Sequence, residues 1–481
     1  MQGLRVRKGD KVLKIQVFNP YLPSYEYIPD GEPYVFDDRL YIFGSHDKFN
    51  GVTYCENDYV CWSAPVEDLS DWRFEGTIYK KDQHPHQAEK NFLYAPDVTK
   101  GPDGRYYLYY SVAHSSIISV AVCDTPAGKY EYYGDVKYKS GDIVGKGPGE
   151  FYQFDPGIFI DEDGTIYLYS GFCPKAEEDE LGRKYVGAHV CVLEDDMITI
   201  KEEPKVLISR DRECPDGARY FEAPSVRKID GRYYFVYSAR ITGLHYYVSQ
   251  YPDKEFIYGG VIHSSSDIGL HDFTEENPAY PVGNTHGGIV FIKGQYYIFD
   301  HRFSNNSSFC RQGVAEPIFI DAEGKIKQVE ATSCGLNGGP LDGVGVYPAY
   351  IACNLIDKNQ YNTKEEKKSA AAYITQEGED RETEPGQYLY GWKNGWIVGY
   401  KYFDLFDLKS IRIKVRGKAN GLIKVSTKRE EEFIGEGFLN IDSMDWTDII
   451  VPVNTRNGIA PLYFTFDGDG CLDMLSFELI A

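Results

Sequence analysis

Five ionisable residues stand at one phase of a recurring pattern. Asp30, Asp97, Asp155, Glu222 and His286 each precede a tyrosine of a strand-like run (Tyr41, Tyr107, Tyr167, Tyr234 and Tyr297) by 10 to 12 residues. Four of the five are carboxylates. Carboxyl groups held on separate rigid segments suit acid–base hydrolysis, in which a protonated one delivers a proton to a departing oxygen and an ionised one activates water. Crowding like charges also keeps one of them protonated near neutral pH. Asp-Pro and Asp-Gly pairs are ordinary turn formers. That explains one or two of the positions, but not an in-phase ionisable residue in all five. Spacing alone does not say which carboxyl is the acid and which the base.

The elements that must carry these groups are legible around them. The runs read Arg39-Leu-Tyr-Ile-Phe, Arg105-Tyr-Tyr-Leu-Tyr-Tyr-Ser, Thr165-Ile-Tyr-Leu-Tyr-Ser, Arg232-Tyr-Tyr-Phe-Val-Tyr-Ser and Gln295-Tyr-Tyr-Ile-Phe. Around Asp155 the unit is clearest. A short apolar strand (residues 157–160) leads into the acidic turn ending at Gly164, and an alternating strand follows, a strong hairpin signal. The aligned tyrosines are spaced by 66, 60, 67 and 63 residues. A β-only repeat of that length holds about four strands, which suits a propeller blade. Five repeats predict five blades, whose innermost strands line a central channel and bring the five ionisable residues to one axis.

The rest of the chain bounds the reading. Its 481 residues can bury a large core in two or three domains. Net charge is −22, which argues against nucleic-acid or anionic-membrane partners and leaves neutral ones such as carbohydrates. An aromatic fraction of 15% suits strands and sugar-stacking surfaces. No apolar run is long enough to span a bilayer. The start has no apolar signal segment, and the ten cysteines are scattered with no Cys-x-x-Cys pair. They read as free thiols, and the expected compartment is the cytoplasm.

In order, residues 1–18 read as an outer strand or arm, and the propeller is expected over residues 1–330. A Gly-rich and polar connecting segment (331–369) follows, then short alternating strands (370–481) that read as a jelly-roll-like β-sandwich. The expected class is therefore all-β. Asp161-Glu-Asp-Gly164 reads as a surface turn rather than a calcium loop. Trp62 and Trp72 read as packing between blades. His46 and Asp47 either border the pocket or belong to a solvated loop.

The Pro-Asp of blade one, the Asp-Pro of blade three, the Glu-Ala-Pro at Glu222 and Asp68-Leu-Ser-Asp-Trp72 resemble glycoside hydrolase family 43 over about residues 19–325. The resemblance implies a five-bladed enzyme that cleaves arabinofuranosides, xylosides and related sugars with inversion. It implies Asp30 as general base, Glu222 as general acid and Asp155 as the carboxylate that tunes and orients the acid. It further implies substrate contacts from Asp97 and Arg311, and an axial calcium or sodium ion beside His286. Tyr94 stands where the family carries tryptophan. Glu377-Gly-Glu379, residues 395–400 and Leu472-Asp473 resemble carbohydrate-binding module family 6, which implies a structural calcium held by Glu377, Glu379 and Asp473. Gly470-Cys471 replaces a sugar-binding tryptophan there, so a packing domain is as well supported as a sugar-binding one.

The expectation is an exo-acting inverting glycosidase on short plant-derived oligosaccharides, an α-L-arabinofuranosidase first and a β-xylosidase second, with no organic cofactor. Two other classes stay open. A fructosidase or glycoside phosphorylase would show Asn-Asp-Pro-Asn, Arg-Asp-Pro and Glu-Cys motifs, which are missing from the corresponding positions. A non-catalytic sugar-binding propeller would have lost an axial carboxylate. Oligomeric state is not legible.

Overall fold

Four of the five repeats become four-stranded antiparallel sheets and the fifth a three-stranded one, because each strand–turn–strand unit hands its next strand to the outer edge. The computed structural model describes residues 16–86, 91–359 and 364–481. Blade one runs Glu32–Phe36, Arg39–Phe43, Tyr59–Pro65 and Arg73–Tyr79 in spatial order. Blades two to four begin at Leu93, Gly157 and Glu222 and repeat the meander. Blade five has three strands, Ile289–Ile292, Gln295–Ser304 and Ser307–Ile318. Its outer edge meets residues near the start of the described chain. Asn19 brackets Ala315 with hydrogen bonds to its N–H and carbonyl, both 3.0 Å, and the Tyr21 N–H reaches the Gly313 carbonyl. The arm expected over residues 1–18 otherwise lies outside the described residues.

The inner hairpins turn on residues with left-handed backbone: Asp37 in blade one, then Gly104, Gly164, Gly231 and Gly294, with φ of 75° to 87° for the glycines. Strand alternation sends one face of every blade against its neighbour. Tyr107, Tyr109, Ile158 and Leu168, for example, pack between blades two and three. Trp62 is buried in the apolar cluster that joins blade one to blade five, and Trp72 lies beside the Tyr21 ring, centroids 5.6 Å apart.

The second domain joins nine strands in one hydrogen-bonded sheet around a core that includes Trp392, Phe464 and Phe477. Three long strands, Ser410–Lys428, Glu431–Pro452 and Gly458–Ile480, carry it. Ile411, Ile413 and Val415 point inward between outward Arg412 and Lys414, the period-two signature of a half-buried strand. Bulges at Val415/Gly417 and Val425/Ser426 bend the central strand. The segment expected to connect the domains does more than connect. Leu341–Asp342, Gly345–Pro348 and Asn354–Asp357 are strands of this sheet. They are too short and glycine-broken to show a period. The single described α-helix, Lys364–Ala370, is short. All ten cysteines are free thiols.

Candidate active site

Where the inner strands reach one end of the channel, the backbone turns sharply. Asp30, Ala95, Asp155 and Ala223 take φ of 56°, 32°, 48° and 67°. Three of these precede proline, which together with a side chain at positive φ is a strained choice. Serines ending the second strands hold the turns. Ser45 accepts from the Ala95 N–H (2.8 Å), Ser111 from Asp155 (3.1 Å) and Ser170 from Phe154 (2.8 Å), while Ser238 meets Thr285. The result is a pocket of about 270 Å³ that gathers Asp30, Asp155, Glu222, His286 and Arg311 under a rim of Tyr94, Phe154, Phe172 and Phe221.

Asp30 is held as an anion. The Arg311 Nη1 donates to both its oxygens (3.1 and 3.3 Å), while Nε and Nη2 of the same guanidinium bind Asp47 at 2.8 and 3.0 Å. Burial alone would raise the Asp30 pKa, but Arg311, then His301 and His286, outweigh it and hold it below the ordinary value. His301 accepts the Asp30 N–H at Nδ1 and donates from Nε2 to the Asn284 carbonyl, which fixes its tautomer. Asp47 and His46 are both buried. They are structural partners of the pocket, not a solvated loop.

Glu222 has the opposite setting. Burial first, then the charge on Asp30, push its pKa up to about 8, against a hydrogen bond from Asn284. Asp155 is raised well above the carboxylate range by burial, then by Glu222 and Asp30. One pocket thus holds an ionised carboxylate beside carboxyls that keep a proton at neutral pH, the division of labour that acid–base chemistry needs. Burial lowers His286 to about 4, so it is a neutral imidazole, 3.7 Å from Asp155 and 3.9 Å from Glu32.

Asp97 lies elsewhere. It is a tier below the pocket, with its oxygens taken by the Tyr34 hydroxyl (2.6 Å), the Val98 N–H (2.8 Å) and the Ile158 N–H (2.7 Å). The cause is a register shift in its strand between Tyr94 and Asp97, like the one between Glu222 and Ser225. Tyr94-Ala95-Pro96 therefore matches Glu222-Ala223-Pro224, and Tyr94 lines the pocket while Asp97 sits level with Ser225. The shared Ala-Pro was the signal that could have found this. Tyr54 and Asn284, which also line the pocket, carried no such signal.

Below the pocket, Arg227 fills the axis. It donates to Glu32 (2.7 Å), Ser225 (3.3 Å) and the Val226 and Ile289 carbonyls (both 3.0 Å), and its guanidinium stacks 4.5 Å from the centre of the Tyr34 ring. A second cavity opens beyond it, at the far end of the channel between Tyr34, Ile160 and Phe291. Calcium takes six to eight oxygen ligands. Beside His286 stand Asp155 at 3.7 Å and Glu32 at 3.9 Å, and the Glu32 Oε1 is buried without a hydrogen-bond partner while Arg227 pairs with Oε2. That set is too small for a directly ligated calcium but compatible with a hydrated calcium or sodium ion beside His286. The C-terminal set does not fit calcium. Arg416 joins Asp473 (3.0 Å) and Glu377, and Glu379 is exposed, so a guanidinium stands where the calcium was expected. Among the described residues no cluster of three or more His, Cys, Asp or Glu side chains is arranged to hold a metal.

Known proteins match this arrangement. The family model for glycosyl hydrolases family 43 matches residues 27–326. A xylosidase/arabinosidase of Thermoclostridium stercorarium is 48% identical over 97% of this chain and 99% of its own. Among solved structures, a Xanthomonas citri enzyme complexed with xylotriose has TM-score 0.53 and 25% identity, covering 67% of this chain and 95% of that one. A Bacillus subtilis arabinoxylan arabinofuranohydrolase in complex with cellotetraose has TM-score 0.51 and 19% identity over 96% and 97% of the two chains, which speaks to the fold of both domains.

Proposed function

The chain belongs to glycosyl hydrolases family 43, and from that premise we propose that it removes single terminal pentoses from short plant-derived oligosaccharides, α-L-arabinofuranose first and β-xylose second. The observation that carries this reading is the opposed setting of Asp30 and Glu222 in one small pocket. Asp30, kept ionised by Arg311, draws a proton from water. Glu222, kept protonated by burial and by the Asp30 charge, protonates the departing glycosidic oxygen. Water then attacks the anomeric carbon from the face opposite the leaving group, so configuration inverts. Asp155 sets a second buried carboxyl beside Glu222 and accepts the Ala223 N–H, which ties it to the strand that carries the acid.

The pocket, at about 270 Å³, lies below the range usual for larger ligands, which favours one sugar ring and exo cleavage. Phe172 and Phe221, rings 5.2 Å apart, lie at the rim where the leaving saccharide must sit. The near-full-length relative named for both activities supports acceptance of both pentoses. The test is to supply nitrophenyl α-L-arabinofuranoside, nitrophenyl β-xyloside and arabinose-bearing xylo-oligosaccharides, and to follow the first-formed sugar by proton NMR. Release of the inverted monosaccharide is expected. Retention of configuration would overturn the mechanism, and internal cleavage of arabinan or xylan the exo reading.

A further inference from the structure

Asp380 and Arg381 lie between the C-terminal strands Tyr373–Thr375 and Tyr388–Trp392, and they reach out of their own domain into blade one. The Asp380 carboxylate accepts the Phe49 N–H (2.7 Å) and the Asn57 side-chain amide (3.1 Å). That same Asn57 amide donates to the Asp47 carbonyl at 3.0 Å. Asp47 in turn accepts from Arg311 at its backbone N–H, Nε and Nη2, and Arg311 Nη1 ends on Asp30. Beside this relay, Arg381 forms an ion pair with buried Glu26 (2.9 Å) and donates to His46 Nε2 (2.9 Å), the residue preceding Asp47.

Residues 46–57, which the relay crosses, form an irregular segment between strands Arg39–Phe43 and Tyr59–Pro65, with no ladder of their own. Their shape depends on side-chain partners, and Asp380 supplies two of the bonds. We propose that Asp380, with Arg381 beside it, is a positioning residue: the C-terminal domain uses it to fix the Asp47–Arg311 clamp and, through that clamp, the Asp30 carboxylate. The domain is thereby part of the active-site framework, whatever it does with sugar. The inference rests on the reading of Asp30 as the base.

The groups that face Asp30 are Arg311, His301, His286, Asp155, Glu222, Tyr54, Cys55 and Tyr59. Among them Asp380 is linked to Arg311, the group that most strongly holds Asp30 ionised, so loosening the relay should move the acid limb of the kcat/KM profile to higher pH. Asp380→Asn places an amide where two donors converge. It should lower kcat on an aryl pentoside on the order of tenfold with KM changed less than about threefold, as expected of a misplaced rather than missing group. Arg416→Met is the control. It breaks the Glu377 and Asp473 bonds in the same domain, the first on the loop that carries Asp380, but none of the relay's own hydrogen bonds, and should leave the acid limb in place.

A profile for Asp380→Asn that overlays wild type, or activity lost in step with Arg416→Met and with no movement of the limb, would overturn the proposal. If Asp380→Asn does not fold, Asn57→Ala interrupts the same relay from the propeller side and carries the same expectation. An Asp30→Asn variant that keeps the wild-type acid limb would instead strike the reading of Asp30.

Discussion

Asp30 and Glu222 are both buried carboxyls in one pocket, and their neighbours drive them apart. Arg311 wins against burial at Asp30; at Glu222 Arg311 also pulls downward, but burial and the Asp30 charge prevail. The two substitutions should therefore fail differently. Glu222→Gln removes the proton donor, so turnover of alkyl or sugar leaving groups should fall by about two to four orders of magnitude, while nitrophenyl glycosides are partly spared. Asp30→Asn removes water activation and should damage both substrate types alike. Equal losses on both substrates for both variants would reverse that assignment. The pH profile carries the same signs: activity needs Asp30 ionised and Glu222 protonated, so it should fall at acid pH below the ordinary carboxylate range and at alkaline pH near about 8. The convergence of these groups, though not their roles, was legible in the spacing. Asp30, Asp155, Glu222 and His286 share a phase because each marks the mouth of an inner strand. Asp97 broke the rule because a two-residue Ala-Pro step slipped its strand, which counting back from a tyrosine cannot detect.

At the scale of the elements, the blades were legible because their signal is local: an alternating strand, a left-handed turn and a strand ending in serine. What the axis does between the blades was not, since Glu32, Arg227, Tyr34 and Asp97 come from three inner strands and meet only in space. Arg227 is the one cation among them. Even with it, burial raises Glu32 to about 7 and leaves one Glu32 oxygen without a partner. Arg227→Met should cost about 3–5 kcal/mol, the usual result of stranding a buried charge. The loss should also depend on pH in a definite direction. Glu32 is raised above its unfolded value, so the folded state binds the extra proton and its stability falls as pH rises through the folded pKa. Removing Arg227 raises that pKa further. The variant's melting temperature should then sit closest to wild type at acid pH and diverge as pH rises; a constant offset would point to lost packing instead.

The whole molecule is one framework in which the second domain is wired to the first by buried charge. Lys401, on the C-terminal strand Trp396–Leu405, reaches Asp267, between blades four and five, at 2.9 Å and Glu330, after blade five, at 3.5 Å, and Tyr402 donates to Glu330 at 2.6 Å. Asp267 also accepts the Ala331 N–H (2.7 Å) and the Asn354 amide (3.3 Å), so it is satisfied only while both domains are docked. No sequence period announces such a contact, because its partners lie 71 to 134 residues apart and each sits in an irregular segment or at a strand's middle. The contrast with Lys418 and Asp442 is instructive. That pair is closer, at 2.8 Å, but its side chains are 81% and 73% exposed, so solvent and salt screen it. Lys401→Met should destabilise the chain by about 3–5 kcal/mol in denaturant titration, because Asp267 would be left charged and buried, whereas Lys418→Met should have little effect. Equal responses of the two variants would mean that the interface is held by its apolar contacts, Phe273 and Ala279 against Ile356 and Ile397, and not by this ion pair.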